Sequence, residues 1–350
     1  MMDFKNILII KLSSIGDVVH ALPFLEVLKK SYPDSRIDWL VEEEASQVIS
    51  GHPAINRVII SERKRWQREI LNPFKFLKIS SEAINFYKKL RLSEYDIVID
   101  LQGLFRSGFL TALSRGKRKI GMSGAREGAS FFLKEPPVAV DYDQHAIDRY
   151  LKIAGQLDCN TGVWKGKIPV SEQDKIVADE IFDSFSEGIP IIAVNPMAKW
   201  KTKLWEADKF SRLAEKLQKE IDCRIIFTGS MQDRPVIEEI IKQTGVKEDK
   251  IINLAGRTDL KELAYLYSGC SVLICTDTGP MHIAAAMGCR VVALFGPTAP
   301  LRTGPYGNGH IIIRSGIDCS PCFKKECRNI KCMEDITVNA VFDAARSIIL

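Results

Sequence analysis

Short apolar runs recur along this chain, each followed by a polar loop and then by apolar residues at helical spacing. Residues 7–12 predict a strand, Ser13-Ser14-Ile15-Gly16-Asp17 a loop, and 18–30 an amphipathic helix. Strands are predicted next at 36–41 and 57–60, and after a helical region rich in Lys and Arg, the β-branched run 96–102 reads as a buried parallel strand. The same alternation resumes at 189–194, 223–227, 251–254, 271–275 and 290–295, which predicts doubly wound α/β architecture. Residues 158–171 lack periodicity and carry Asn160-Thr161-Gly162, Gly166 and Pro169, so they read as a linker. The expected result is two Rossmann-like domains facing a central cleft, residues 1–160 and 171–337. An amphipathic helix at 338–350 is left free to dock on either half, including back on the first. No internal repeat or low-complexity stretch interrupts the pattern.

Composition narrows the class. A chain of 350 residues with 46% hydrophobic and 27% charged content can bury two ordinary cores. The net charge of +5 is too small and too dispersed to argue for nucleic acid, but it suits anionic small molecules or an anionic membrane face. No apolar run is long enough to span a bilayer, and the N-terminus enters the run 7–10 without the features of a signal peptide, so the cytoplasm is the expected compartment. Of the nine cysteines, Cys223, Cys270, Cys275 and Cys289 sit singly in strand-like or helix-end positions. Only Cys319-x2-Cys322-x4-Cys327-x4-Cys332 has the density of a site, and only its first pair has a familiar ligand spacing. A metal, a reduced structural loop and a disulfide all stay open for it, and no function is built on it.

The strongest candidate for chemistry is Thr276-Asp277-Thr278-Gly279-Pro280-Met281-His282, set between the apolar run 271–275 and an alanine-rich helical pattern. A helix start in that position presents free backbone N–H groups to an anion. Thr278 suits a cap, Gly279 a close approach, and Pro280 the first helical turn. The triplet Asp-Thr-Gly also occurs in aspartic proteases, but those are all-β proteins. The plainer alternative is that Asp277 caps and His282 packs. A second loop of the same kind follows the first strand, lacks the Gly-x-Gly-x-x-Gly fingerprint of a dehydrogenase, and delivers Asp17 at a strand end. A third piece, Asn195-Pro196-Met197-Ala198-Lys199-Trp200-Lys201-Thr202-Lys203-Leu204-Trp205, can pair with a diphosphate or be a solvated basic loop.

The run Lys11-Leu12-Ser13-Ser14-Ile15-Gly16-Asp17-Val18-Val19-His20-Ala21-Leu22-Pro23, with Lys203-x-Trp205, Asp277-Thr278-Gly279-Pro280-x-His282 and Phe295-Gly296-Pro297-Thr298, resembles the heptosyltransferases, glycosyltransferase family 9. The likeness covers nearly the whole chain in order. The segments 38–43, 65–66, 100–104, 124–127 and 144–146 resemble type I members most, whereas the Cys319 to Cys332 tail resembles type II-like ones. The resemblance implies a GT-B fold and an inverting, metal-independent transfer, without cofactor, of L-glycero-D-manno-heptose from ADP-heptose to the Kdo of lipid A in the lipopolysaccharide inner core. It also implies work at the cytoplasmic face of the inner membrane. By motif, Asp17 would be the general base and Lys203 would stabilise the leaving diphosphate. Ser14, Gly16, Asn195, Asp233, Thr258, Asp277, Thr278, Gly279 and His282 would hold the donor. The basic residues Arg63, Lys64, Arg65 and Arg126, with Arg115, Lys117, Arg118 and Lys119, are candidates for the acceptor's carboxylates and phosphates. Alternatives are a type II-like or other family 9 transfer, or a nucleotide-binding or metal-sensing protein built around the cysteine tail.

Overall fold

The computed structural model describes residues 3–185 and 188–350, and the chain divides into two compact units, Met1–Pro169 and Val170–Leu350. In the first unit the strands are β1 (Asn6–Ile10), β2 (Arg36–Glu42), β3 (Arg57–Ser61), β4 (Glu94–Asp100) and β5 (Arg115–Gly121). They pair in parallel in the order β3-β2-β1-β4-β5. The central strands are continuous apolar runs because helices cover both faces, and Ile7, Leu8, Ile9, Ile10, Ile97, Val98 and Ile99 are fully buried. The run of strands therefore matches the apolar pattern.

Two local features depart from it. The helix expected at 18–30 is broken into Ile15–Val19 and Leu22–Ser31. Pro23 explains the break: it has no N–H to donate and its ring would collide with the carbonyl of Val19, so it occupies the first turn of a new helix. The second departure is β5, which carries no apolar alternation. As an edge strand it tolerates charge, and its cations are spent on neighbours rather than left for a ligand. Arg115 pairs with Glu94, Lys117 with Asp96 at 2.8 Å, and Arg118 forks onto Glu135 at 2.6 and 2.7 Å. Lys119 is buried, donates to the Ala112 carbonyl, and has its pKa pushed down by burial and by Lys134.

The second unit holds β6 (Ile191–Asn195), β7 (Arg224–Phe227), β8 (Ile251–Asn253), β9 (Val272–Thr276), β10 (Val291–Leu294) and β11 (Ile311–Ile313). All pair in parallel in the order β11-β10-β9-β6-β7-β8. The short edge strand β11 is a further element that the apolar pattern alone does not single out. The C-terminal helix Val338–Ile349 packs into the core of this unit: Val341, Phe342 and Ala345 join Phe210, Leu213, Leu217 and Leu294. Just ahead of it, the Trp205 indole donates to the Ile336 carbonyl at 3.0 Å and ties the chain down. Gly296 is needed where it stands, since a Cβ there would lie 2.6 Å from the Met333 sulfur.

Among the described residues no helix is long and apolar enough to cross a membrane. Phe342 is 1% exposed in the second core, so Phe342→Ala should cost about 3–5 kcal/mol of stability, read from urea denaturation. An unchanged midpoint would mean that the helix is not part of that core.

Candidate active site

In a doubly wound sheet, ligands bind beyond the carboxyl ends of the two strands at which the winding reverses. In the first unit those strands are β1 and β4. The residues that follow them are joined: the Leu12 and Ser13 N–H groups donate to Gln102 Oε1 at 3.2 and 3.1 Å, and the Lys11 ammonium donates to the Leu101 carbonyl. Asp17 stands at the start of the helix Ile15–Val19. Its Oδ2 accepts from the Ser14 N–H and hydroxyl, both at 2.9 Å, and its Oδ1 lies 3.7 Å from Lys11 Nζ. The Asp17 side chain is 38% exposed against 3% for Lys11, so the carboxylate has solvent on one side and a buried cation on the other. Burial alone would drive the Lys11 ammonium toward neutrality, but Asp17, Tyr150 and Asp100 outweigh it and raise its pKa. Behind the pair, Asp100 accepts from the Gln102 and Gly103 N–H groups and from the Ser107 hydroxyl, while burial pushes its own pKa up. Gly103 makes this turn at φ +64°, where a side chain would be strained.

In the second unit the winding reverses between β6 and β9. Asn195 ends β6, is 3% exposed, and donates to the Thr228 carbonyl and hydroxyl at 3.0 and 3.1 Å. Asp277 directly follows β9. Its Oδ2 accepts from Lys203 Nζ and from the Thr298 hydroxyl, each at 2.6 Å, and Lys203 also reaches the Asp277 carbonyl at 3.3 Å. The Lys203 ammonium lies 4.7 Å from the centre of the Trp200 ring. Thr278 precedes the helix Gly279–Ala286 but its hydroxyl makes no capping bond, Pro280 sits in the first turn, and His282 is 8% exposed on that turn. Three loops thus converge on one short helix start: 196–205, 277–279 and 296–298.

The sequence has relatives of known kind. The family model "Glycosyltransferase family 9 (heptosyltransferase)" matches residues 83–333. The chain belongs to that family. It is 30% identical to lipopolysaccharide heptosyltransferase 1 of Pseudomonas aeruginosa over 97% of this chain and 92% of that one. A family 9 glycosyltransferase from Veillonella parvula superposes with a TM-score of 0.85 at 26% identity, covering 100% of this chain and 98% of that one. The Escherichia coli heptosyltransferase WaaC with ADP does so at 0.77, also with 26% identity, over 98% and 99% of the two chains. The two parallel sheets are those of the GT-B fold, and the protein is a glycosyltransferase.

Within this family 9 chain the other candidate residues fall unevenly. Gly16 is buried beside Asp17, and Ser14 is exposed as its partner. Asp233 repeats the arrangement after β7: Ser230 donates to it through N–H and hydroxyl at 2.8 and 2.7 Å. A Ser-x-x-Asp start is therefore a general device of these helices, and it is Lys11 that sets Asp17 apart, since Asp233 has no ion pair among the described residues. Thr258 is half-buried on the loop after β8, which meets the Asp233 loop where the Gly256 N–H donates to the Gly229 carbonyl. Arg126 is exposed on a loop joined to the first site by its N–H bond to the Gly103 carbonyl.

The basic triplet separates. Arg63 and Lys64 meet the buried Glu42 at 2.9 and 3.3 Å, whereas Arg65 turns to Glu62, Glu69 and Glu82. The motif reading missed Arg106, which bridges Glu42 at 3.6 Å and the Ser13 hydroxyl at 2.7 Å and so connects the Arg63 cluster to the Asp17 loop. A glutamate at the very end of strand β2, ahead of Glu43 and Glu44, was the available signal. Of the tail cysteines, Cys319 and Cys327 are exposed, Cys322 is half-buried and Cys332 is buried. All are free thiols, and among the described residues no three His, Cys, Asp or Glu side chains gather as metal ligands.

Thr298→Val deletes a bond to a buried carboxylate and should cost about 1–3 kcal/mol of stability in urea denaturation. A neutral effect would mean that Lys203 alone holds Asp277.

Proposed function

We propose that this family 9 glycosyltransferase moves L-glycero-D-manno-heptose from ADP-heptose to a Kdo residue of the lipopolysaccharide inner core. The observation that carries the proposal is the pair of built strand ends: a carboxylate backed by a buried lysine in the first unit, and a lysine gripped by a carboxylate and a hydroxyl in the second. Relatives support the choice of donor and acceptor. Several carry the name lipopolysaccharide heptosyltransferase 1, and WaaC structures contain ADP or an ADP-linked fluoroheptose.

In this reading Asp17 takes the proton of the acceptor hydroxyl as that oxygen bonds to the anomeric carbon. The bond from that carbon to the diphosphate oxygen breaks on the opposite face, and ADP leaves with the electron pair, which inverts the centre. Lys203 meets the charge that develops on the departing diphosphate. Asp277 and Thr298 hold the Lys203 ammonium beforehand, so little reorganisation is left for the moment of reaction. The N–H groups around Gly279 face phosphate, and His282, Thr278 and Asn195 line the sugar and phosphate side. Asp233 and Thr258, on adjoining loops, suit ribose and adenine. Arg126 and the Arg63, Lys64 and Arg106 group suit the acceptor's acids, whereas Arg65 is given to its glutamates.

The Cys319 to Cys332 tail favours a second reading, in which the acceptor already carries a heptose. A panel of truncated lipopolysaccharides assayed with ADP-heptose separates the two: transfer to acceptors ending in Kdo supports the first, and transfer only to heptose-bearing ones supports the second.

Asp17→Asn should bind ADP-heptose normally but turn over about 10²–10⁴-fold more slowly. Wild-type turnover would remove the base. In Lys11→Met the lost cation should move the acid limb of the pH–rate profile to higher pH, because a carboxylate deprived of a neighbouring positive charge holds its proton longer. With Lys203 serving the diphosphate, turnover should withstand EDTA, and a strict need for magnesium would take that role from Lys203.

A further inference from the structure

The first unit carries a surface that the transfer chemistry does not use. Beyond Arg65, residues 66–92 hold six lysines and arginines and two glutamates, a net charge of +4. Both glutamates of this stretch are held by Arg65. Arg68, Lys88, Lys89 and Arg91 have no ion pair among the described residues.

Large apolar side chains stand beside these cations. Residues 71–78 are all exposed, and among them Leu71 is 87%, Phe74 97% and Leu77 80% open to solvent. Phe76 and Ile84 are half open. On the helix Phe76–Leu92, positions 77, 81, 84, 88 and 91 recur at intervals of four and three and so share one face. That face reads Leu77, Ser81, Ile84, Lys88, Arg91 and is exposed throughout, while Ile79 and Leu90 point into the core. The helix is thus apolar toward its start, basic toward its end, and without a carboxylate on its outer side.

We propose that the segment from Arg68 to Leu92 docks this protein on an anionic lipid bilayer, with Leu71, Phe74 and Leu77 entering the interface and Lys88, Lys89 and Arg91 meeting lipid phosphates. Apolar side chains next to unpaired cations suit a headgroup layer, which offers hydrocarbon and negative charge at adjacent depths. A protein partner fits less well, because interface cores are depleted of lysine. A second copy fits least: a two-fold contact through this patch would set the same cations against themselves. The inference rests on these side chains and not on the acceptor chosen above.

Co-sedimentation of the full chain with vesicles of phosphatidylethanolamine and phosphatidylglycerol, without donor or acceptor, tests it. The wild type should bind these vesicles, bind phosphatidylcholine vesicles far less, and lose affinity as salt rises. Phe74→Ser/Leu77→Ser and Lys88→Gln/Lys89→Gln/Arg91→Gln should each reduce vesicle binding about tenfold or more. Both sets lie on exposed positions, and melting curves confirm that they fold. Transfer to a short water-soluble acceptor should be unchanged in both, which keeps this outcome separate from failure of the proposed reaction. Absent binding by the wild type, equal binding by either variant, or a wild-type dimer that the serine variant dissolves would each overturn the proposal.

Discussion

Where the winding of a parallel sheet reverses, two neighbouring strands send their chains to opposite faces, and the space beyond their carboxyl ends is left uncovered. Both sheets obey this constraint, at β1 and β4 in one and at β6 and β9 in the other. Both buried ion pairs, Lys11 with Asp17 and Lys203 with Asp277, stand at these points. The residues leading up to these points are apolar and buried, so polar side chains come where the strands end: Asp100 and Asn195 close β4 and β6, and Lys11 and Asp277 directly follow β1 and β9.

Charge at such a depth has to be met at once, because an isolated buried ion is costly and a paired one is tolerable. The first unit meets Lys11 with Asp17, the Leu101 carbonyl and the Tyr150 ring. The second meets Asp277 with Lys203 and Thr298. In each pair the partner nearer to solvent, Asp17 at 38% and Lys203 at 16% exposure, is the one to which the proposed reaction gives chemistry, while the deeper partner, at 3% and 6%, holds it in place. Such pairs add little net stability, and their value lies in orientation.

That division of labour explains what was legible in the sequence. The buried strands announce themselves because helices on both faces require apolar runs, and the loops at 13–17 and 277–279 follow from strand ends next to helix starts. The edge strand β5 was hidden, since an edge needs no second apolar face and its arginines and lysines look like a ligand surface until Glu94, Asp96 and Glu135 are seen beside them. The break at Pro23 could have been read from its ring alone. The separation of Arg63 and Lys64 from Arg65 could not, because it depends on Glu42 and Glu82, residues 21 and 17 positions away from the cations they bind.

Asp277 shows how the structure changes a reading of the same residue. Its place after β9, ahead of a helix start, invites the view that it touches ligand directly. Yet Oδ2 already accepts two hydrogen bonds of 2.6 Å, from an ammonium and from a hydroxyl. A carboxylate so engaged leaves Oδ1 as its main acceptor and offsets the Lys203 charge while the site is empty of phosphate. In the proposed reaction an arriving diphosphate would compete with Asp277 for the same ammonium, and the anion that gains charge as its bond to sugar breaks would compete harder than one that has not yet done so. A lysine shared in this way would stabilise departure more than binding.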